Sequence, residues 1–164
     1  MLKNKLNLQE PFIKFLHTAH LKTYTGTDLE RQKTKCPKSK LSGHKEYYYS
    51  EKDWEYFDSY TGHTFPPGKE IIYYQKNPFW IMSYQGQYID NEQTNTKETY
   101  EFLKEALRNT NPNKPFRGPK QYKKKGWRYV CKIKGDWQYF IGKERVYYKK
   151  KLVFFQDIMG SIVK

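Results

Sequence analysis

Two glutamates occupy matching settings in this chain, because Glu70 and Glu144 each follow a Gly-Lys pair. Asp53 and Asp58 precede the first of them. Paired carboxyl groups can perform general acid and base catalysis when they face one cavity, as in glycoside hydrolases. Since both Gly-Lys-Glu triplets keep the glutamate, we favour a structural role, in which the carboxylates accept hydrogen bonds from a turn or pair with a lysine.

Other arrangements typical of active sites are missing from the sequence. The Gly-Lys-Glu triplets lack the upstream glycine and the following Ser or Thr of a phosphate-binding loop, and no Gly-x-Ser-x-Gly elbow occurs. We therefore expect no catalytic residues and no cofactor, and the interpretation leans away from an enzyme.

The histidines and cysteines are too loosely spaced to predict a metal centre. His17 and His20 lie three residues apart, but Cys36, His44 and His63 do not follow at the short spacings of zinc sites. We predict no bound metal.

The most informative feature is a pattern of aromatic, glycine and charged residues that occurs twice. Gly68 to Gly86 and Gly142 to Gly160 are both intervals of eighteen residues. The full pattern is Trp54, Tyr56, Tyr60, Gly62, Phe65, Gly68, Lys69, Glu70, Ile72, Tyr73, Tyr74, Trp80, Gly86 and Ile89, matched by Trp127, Tyr129, Ile133, Gly135, Phe140, Gly142, Lys143, Glu144, Val146, Tyr147, Tyr148, Phe154, Gly160 and Val163. Because a repeat shows what a fold requires, positions that differ between the copies are the candidates for function.

Hydrophobic periodicity predicts a helix followed by an antiparallel meander in each copy. Residues 8–21 and 96–109 carry apolar side chains at helical spacing. Residues 47–89 and 126–163 consist of short aromatic and β-branched runs separated by turn signals, which is typical of antiparallel strands.

The segments between these elements have less regular patterns. Thr96 and Thr99 are candidate caps of the second helix, which the proline-rich segment 111–119 ends. Residues 22–45 lack a clear period, so we expect a long exposed loop there.

These elements predict one α+β domain over residues 1–164, built from an internally duplicated unit with two pseudo-symmetric halves. Repeat one spans residues 9–89 and repeat two spans residues 96–163. We expect both helices to cover one face of the sheets and a groove between the halves to form a natural ligand site.

Positive charge is concentrated in the second copy. The chain has a net charge of +14, but residues 1–113 hold 16 basic and 14 acidic side chains, whereas residues 114–164 hold 15 basic and three acidic ones. If Trp127 and Tyr129 point inward, strand alternation places basic residues on the outer face. The candidate nucleic-acid-binding residues are Arg128, Lys132, Lys134, Arg145, Tyr147 and Lys149.

Our leading hypothesis is a non-enzymatic binding module that contacts nucleic acid or another polyanion through this basic sheet face, with a role in regulation. The cations would bind phosphates while Tyr147 stacks on a base. The competing interpretation is a solvated lysine-rich surface that serves solubility.

The alternative hypothesis is a sensor of a small molecule or a protein partner, which uses the groove between the copies. Its candidate lining residues are Tyr60, Trp80, Tyr84 and Arg117. Arg117 is included because an arginine held between Phe116 and Gly118 can bind a carboxylate or a phosphate. The competing interpretation, which we favour for Arg117, is an ordinary loop residue that pairs with a local acid. For the aromatic residues, packing in the core is the competing interpretation.

Three motifs carry a family resemblance: Trp54-x-Tyr56-x-Asp58-x-Tyr60-x-Gly62, Asn77-Pro78-Phe79-Trp80 and Pro115-Phe116-Arg117-Gly118-Pro119. Over residues 9–163 the chain resembles an uncharacterised bacterial domain-of-unknown-function family of the 5680 type. Members occur alone or C-terminal to Xre-type helix-turn-helix regulators, so the resemblance implies a sensor or effector module. It implies no particular reaction and no catalytic residues.

Location is predicted from what the sequence lacks. No run approaches the roughly 20 apolar residues that cross a bilayer, and residues 1–10 lack the apolar core of a secretory signal. With only two cysteines, these features predict a cytoplasmic protein without a membrane span, and they leave its oligomeric state open.

Overall fold

A computed structural model describes residues 8–90 and 92–163, and it shows an α+β protein. Residues 1–7, 91 and 164 of the predicted domain lie outside this description. The helices within the described ranges are α1 (Gln9–Lys22), α2 (Asp28–Thr34) and α3 (Thr96–Arg108). The strands are β1 (Lys45–Glu51), β2 (Trp54–Tyr60), β3 (Gly68–Tyr74), β4 (Asn77–Tyr88), β5 (Gln121–Lys124), β6 (Trp127–Asp136), β7 (Tyr139–Tyr148) and β8 (Lys151–Ile162).

These strands form one antiparallel sheet in the order β1-β2-β3-β4-β8-β7-β6-β5. Consecutive strands pair as hairpins within each half, and β4 pairs with β8 at the centre, where Met82 lies opposite Gly160. Both predicted meanders are confirmed. The prediction missed β5, a short edge strand that belongs to the second meander.

Helices α1 and α3 cover the same face of the sheet, as predicted. From α1, the ring of Phe12 lies 5.5 Å from that of Trp80, and from α3, the ring of Phe102 lies 5.1 Å from that of Trp127. The strand side chains that they contact alternate toward one side of the sheet, where the buried aromatic core forms.

The opposite face of the sheet is more open. The amine of Lys40 lies over the ring of Phe57 on β2, so the segment before β1 covers part of it. Further along, Ile141 and Met159 remain 44 % and 53 % exposed. The two faces therefore differ, since one packs on helices and the other meets solvent.

Local hydrogen bonding sets the helix boundaries and corrects two predictions. Asn95 caps α3 by accepting from the backbone N–H of Glu98, whose carboxylate accepts from the N–H of Asn95; the proposed caps Thr96 and Thr99 lie inside the helix. Within the segment predicted to be loop, Thr27 and Glu30 form the same pair of reciprocal hydrogen bonds, a capping box, and α2 begins there. Such boxes satisfy backbone donors that a helix start leaves unpaired.

None of the helices in residues 8–90 and 92–163 combines the length and the apolar character required to cross a membrane.

Candidate functional site

One buried arginine joins the glutamates of the two Gly-Lys-Glu triplets. Nε of Arg117 lies 3.1 Å from Oε1 and 3.3 Å from Oε2 of Glu144, and its Nη1 lies 3.7 Å from Oε1 of Glu70. Arg117 is 8 % exposed, and both glutamates are buried more completely. The structural role preferred for the glutamates is therefore observed, with an arginine as the partner instead of a lysine.

The loop between α3 and β5 places Arg117 over the sheet. The hydroxyl of Thr110 donates to the backbone carbonyl of Arg117, and the neighbouring Phe116 stacks on Phe140 with ring centroids 5.3 Å apart. The loop is thus anchored on both sides of the arginine, which limits the positions that its guanidinium can adopt.

Each glutamate also has partners from its own half of the sheet or the helix above it. Glu144 on β7 accepts from the hydroxyl of Tyr129 at 2.5 Å and from the amide of Gln156 at 3.1 Å. Glu70 on β3 lies 2.7 Å from Nε2 of His20, which α1 contributes. These contacts supply the hydrogen bonds that buried carboxylates require.

A third carboxyl group, that of Asp58, lies beside Glu70. The two residues are direct cross-strand partners on β2 and β3, and the hydroxyl of Tyr84 donates to Oδ1 of Asp58 at 2.7 Å. Burial, followed by the charge of Glu70, raises the pKa of Asp58 to about 8, while Tyr84 and Arg117 act in the opposite direction. A large fraction of Asp58 is therefore protonated near neutral pH.

These groups form the floor of a cavity of about 340 Å³. Asp58, Glu70 and Arg117 all contribute to its lining, and Gln156 brings in β8 from the second half. Because the lining combines residues of β2, β3, β4 and β8 with the Arg117 loop, the cavity lies where the two halves of the sheet meet.

The walls of the cavity are aromatic. Tyr24 and Tyr60 meet edge to face with centroids 5.8 Å apart, and Tyr84 lies below the guanidinium carbon of Arg117 at 5.6 Å. Tyr100 of α3 completes the wall and packs against Phe154. Burial raises the pKa of Tyr100 to about 12 and raises that of the other three tyrosines further, so all four remain neutral.

The rim of the cavity carries the opposite charge from its floor. Lys45 and Lys97 are exposed there, Lys104 is half-buried, and Glu101 is the one acidic rim residue among the described lining residues. Burial lowers the pKa of Lys104, with the charge of Arg31 as a further cause. The cavity is therefore polar along its depth, with carboxyl groups inside and ammonium groups outside.

Three of the four groove residues predicted from the sequence line this cavity together: Tyr60, Tyr84 and Arg117. Trp80 does not. It is fully buried in the core, where its indole N–H donates to the backbone carbonyl of Trp137 at 3.0 Å. The position follows from strand alternation combined with helix packing, since Phe12 of α1 covers the ring.

Sequence reasoning considered Asp58 and Glu70 but did not include them in the groove. The signal was present, because Asp58 shares an inward alternation with Tyr56 and Tyr60, which places a carboxyl among core aromatics. Tyr100 lies on the apolar face of the second predicted helix, whereas Tyr24 falls in the segment predicted to be loop and had no comparable signal. Asp53, the other acidic residue considered, is exposed in a turn outside the cluster.

Three of the four histidines considered as metal ligands have other partners. His20 contacts Glu70, His44 lies 2.9 Å from the hydroxyl of Ser59, and His63 contacts Thr96. In the described ranges, no group of three or more His, Cys, Asp or Glu side chains is arranged to hold a metal ion.

The basic face predicted on the second meander is assembled by the strand register. Arg128 lies opposite Tyr147, with its guanidinium carbon 4.3 Å from the ring centroid, and Lys132 lies directly opposite Lys143. Arg145 and Lys134 occupy the same outward-facing alternation. These residues therefore share the face of the sheet that the helices leave open.

Lys149 lies apart from this group. It occupies the hairpin turn between β7 and β8 with a φ of 45°, and its amine lies 5.4 Å from the ring centroid of Tyr148, on the helix-bearing side. The sequence-based prediction continued the strand alternation of β7 to Lys149, but the strand ends at Tyr148 and Lys149 belongs to the turn.

Comparison with known proteins identifies the class to which the chain belongs. The profile of the family described as "Domain of unknown function (DUF5680)" matches residues 58–163. This range is more than half of the chain, so the protein belongs to that family. The match includes β3 to β8 and Arg117, together with Glu70 and Glu144. No curated protein and no solved structure shows significant similarity to the chain.

Proposed function

We propose that the protein is a non-enzymatic binding module that holds a small molecule in the cavity beside Arg117. One observation carries the proposal: two groups on the cavity floor keep unused hydrogen-bonding capacity. Among the described residues, Oδ2 of Asp58 and the terminal nitrogens of Arg117 make no hydrogen bond. Polar groups with unused hydrogen-bonding capacity in one recessed site are the groups that orient a ligand.

The surroundings of these two groups support the same role. The tyrosine walls provide apolar surface for the body of a ligand, and the volume of about 340 Å³ suits a compact molecule. Arg117 is held in place by its bond to Glu144, so little order would have to be created on binding.

A ligand screen tests this proposal directly. Thermal-shift screening of a metabolite library should yield compounds that raise the melting temperature, and their amide chemical-shift changes should map to residues around the cavity. Tyr84→Phe removes the hydroxyl that orients Asp58 and should weaken binding, whereas Tyr139→Phe on the open face is the matched control. Failure of every compound, or shifts confined to other surfaces, would contradict the proposal.

We also propose that the two halves arose by duplication of one helix-and-meander unit. The strand order supports this, because it reads outward from the β4–β8 pair in the same sequence on both sides. The registers agree as well: Glu70 lies opposite Asp58 and Met82, while Glu144 lies opposite Cys131 and Gln156. In this view the site formed at the junction between the copies.

A cytoplasmic location is part of the proposal. Cys36 and Cys131 are both unpaired, as is usual for proteins of a reducing compartment.

A second candidate function is nucleic-acid binding by the basic face, and one specific observation favours it. Lys132 and Lys143 are direct cross-strand partners, and the amine of Lys143 lies 3.9 Å from Asp157, so Lys132 is the lysine of this pair without an acidic partner among the described residues. The neighbouring Arg128 lies on the ring of Tyr147, so a cation and an aromatic surface adjoin the lysine pair.

Salt-titrated binding to single- and double-stranded DNA and RNA tests this candidate. Joint charge reversal at Arg128, Lys132 and Arg145 should abolish binding without unfolding the protein, whereas reversal at Lys33 and Lys35 should have little effect. Equal loss from both sets would indicate only non-specific attraction.

A further inference from the structure

We propose that the cavity binds a zwitterionic amine, with the ammonium group of the ligand at Asp58 and its anionic group at the lysine rim. This inference rests on the small-molecule role proposed above and adds the chemical class of the ligand.

The buried floor contains more carboxyl groups than cations. Asp58 and Glu70 line the cavity, whereas Glu144 is buried beside Arg117 without lining it, and Arg117 supplies the one guanidinium among these three carboxyl groups. Arg117 directs Nε to Glu144 and lies 3.7 Å from Glu70, and His20 also contacts Glu70. In the described part of the chain, no basic side chain lies within 4.0 Å of the carboxylate of Asp58.

An ammonium group would supply the cation that Asp58 lacks. Tyr84 already donates to Oδ1, so Oδ2 is the oxygen left for a ligand. The raised pKa of Asp58, caused by burial and by Glu70, has the direction expected of a carboxyl group without a counter-ion. A bound ammonium would favour the ionised carboxylate and release the proton that Asp58 holds near neutral pH.

The walls suit an ammonium group as well. Tyr24, Tyr60, Tyr84 and Tyr100 surround the space next to Asp58, and tyrosine faces attract cations through the ring quadrupole. Tyr84 already has the guanidinium of Arg117 over its ring, which shows that a cation is accommodated on this wall.

The rim argues against a simple cation and for a zwitterion. Lys45, Lys97 and Lys104 face one carboxylate, that of Glu101, so the entrance is positive and would repel a molecule with ammonium groups alone. An anionic group at the far end of the ligand would be attracted to these lysines. Charge complementarity along the depth of the cavity therefore selects a molecule with both charges.

Isothermal titration calorimetry with matched probes tests the inference. The zwitterions 4-aminobutanoate and 6-aminohexanoate are compared with hexylamine, which lacks the anion, and with hexanoate, which lacks the amine. We expect a zwitterion to bind most tightly and to release protons at pH 7, seen as a dependence of the binding enthalpy on the buffer.

Asp58→Asn keeps the side-chain shape and should weaken zwitterion binding by at least about tenfold. Asp157→Asn, at an exposed aspartate on the open face, is the matched control and should leave binding unchanged. Melting temperatures of both variants confirm that they are folded.

The outcomes separate the ligand class from the proposed function. If hexanoate binds as tightly as the zwitterions, or if Asp58→Asn leaves their affinity unchanged, the class is wrong while small-molecule binding stands. If no probe binds but library compounds perturb the cavity, the class is again wrong. If no compound of any kind binds there, both proposals fail.

Discussion

Replacing Arg117 with methionine should destabilise the protein strongly, because the guanidinium separates two buried carboxylates. Methionine keeps an unbranched side chain and removes the charge. Removing one partner of a buried ion pair costs about 3–5 kcal/mol, since the other charge is left uncompensated. Here the loss falls mainly on Glu144, which Arg117 contacts at 3.1 Å, whereas Glu70 keeps His20 at 2.7 Å.

An independent estimate agrees with this magnitude. An uncompensated carboxylate can take up a proton instead, and for an ordinary glutamic acid this costs about 4 kcal/mol at pH 7. The penalty for each carboxyl is limited to that value, because protonation becomes the cheaper alternative. We therefore expect Arg117→Met to lower the free energy of unfolding by about 4 kcal/mol at pH 7.

The same reasoning predicts a pH dependence. In the variant, the uncompensated carboxyl group is protonated in the folded state and ionised in the unfolded state. Because the folded state then binds one more proton, the free energy of unfolding falls as the pH rises. The slope is about 1.4 kcal/mol per pH unit for each such group. The difference between wild type and variant should thus shrink by about 3 kcal/mol when the pH is lowered from 7 to 5.

Urea unfolding followed by tryptophan fluorescence measures these free energies. Arg128→Met is the matched control, because its guanidinium lies on Tyr147 without an acidic partner among the described residues, and it should cost less than about 1 kcal/mol. Adding Glu144→Gln to Arg117→Met should recover part of the loss at pH 7. A loss below about 1 kcal/mol, or an equal loss at pH 5 and pH 7, would refute the reasoning.

Three further substitutions test neighbouring parts of the structure. Burial and Glu70 raise the pKa of Asp58 to about 8, so wild-type stability should fall by about 1.4 kcal/mol per unit between about pH 4 and pH 8, and Asp58→Asn should lack that slope in a pH series of urea melts. Gly68→Ala should cost about 1–3 kcal/mol and weaken ligand binding, because the new Cβ would lie 2.4 Å from the ring of Tyr84; an unchanged melting temperature would contradict this. Asn95→Ala removes the cap of α3 and should cost about 1 kcal/mol by the same melts, with no change in the pH profile.

Much of the secondary structure could be predicted because its signals are local. The apolar spacing in α1 and α3 and the alternation in both meanders arise from side chains close together in sequence. The outward positions of Arg128 and Lys132 followed from the same alternation. The errors were local as well: the box at Thr27 was overlooked, and alternation was continued into the turn at Lys149.

The candidate site could be predicted only in part, because its members come from distant segments. Tyr60 and Tyr84 were expected to line a groove and do so, but Trp80 was expected there and lies in the core. An inward-facing aromatic residue reaches a cavity or a core depending on what the helices cover above it. Strand alternation cannot distinguish the two outcomes.

The sequence by itself determined the elements of this protein and the faces of its strands, since both depend on backbone geometry and on neighbours a few residues away. Only the tertiary structure decided that β4 and β8 pair at the centre and that one loop carries Arg117 between Glu70 and Glu144. The physical reason is that buried charges need partners of opposite sign, and which partner is within reach depends on the packing of the whole sheet.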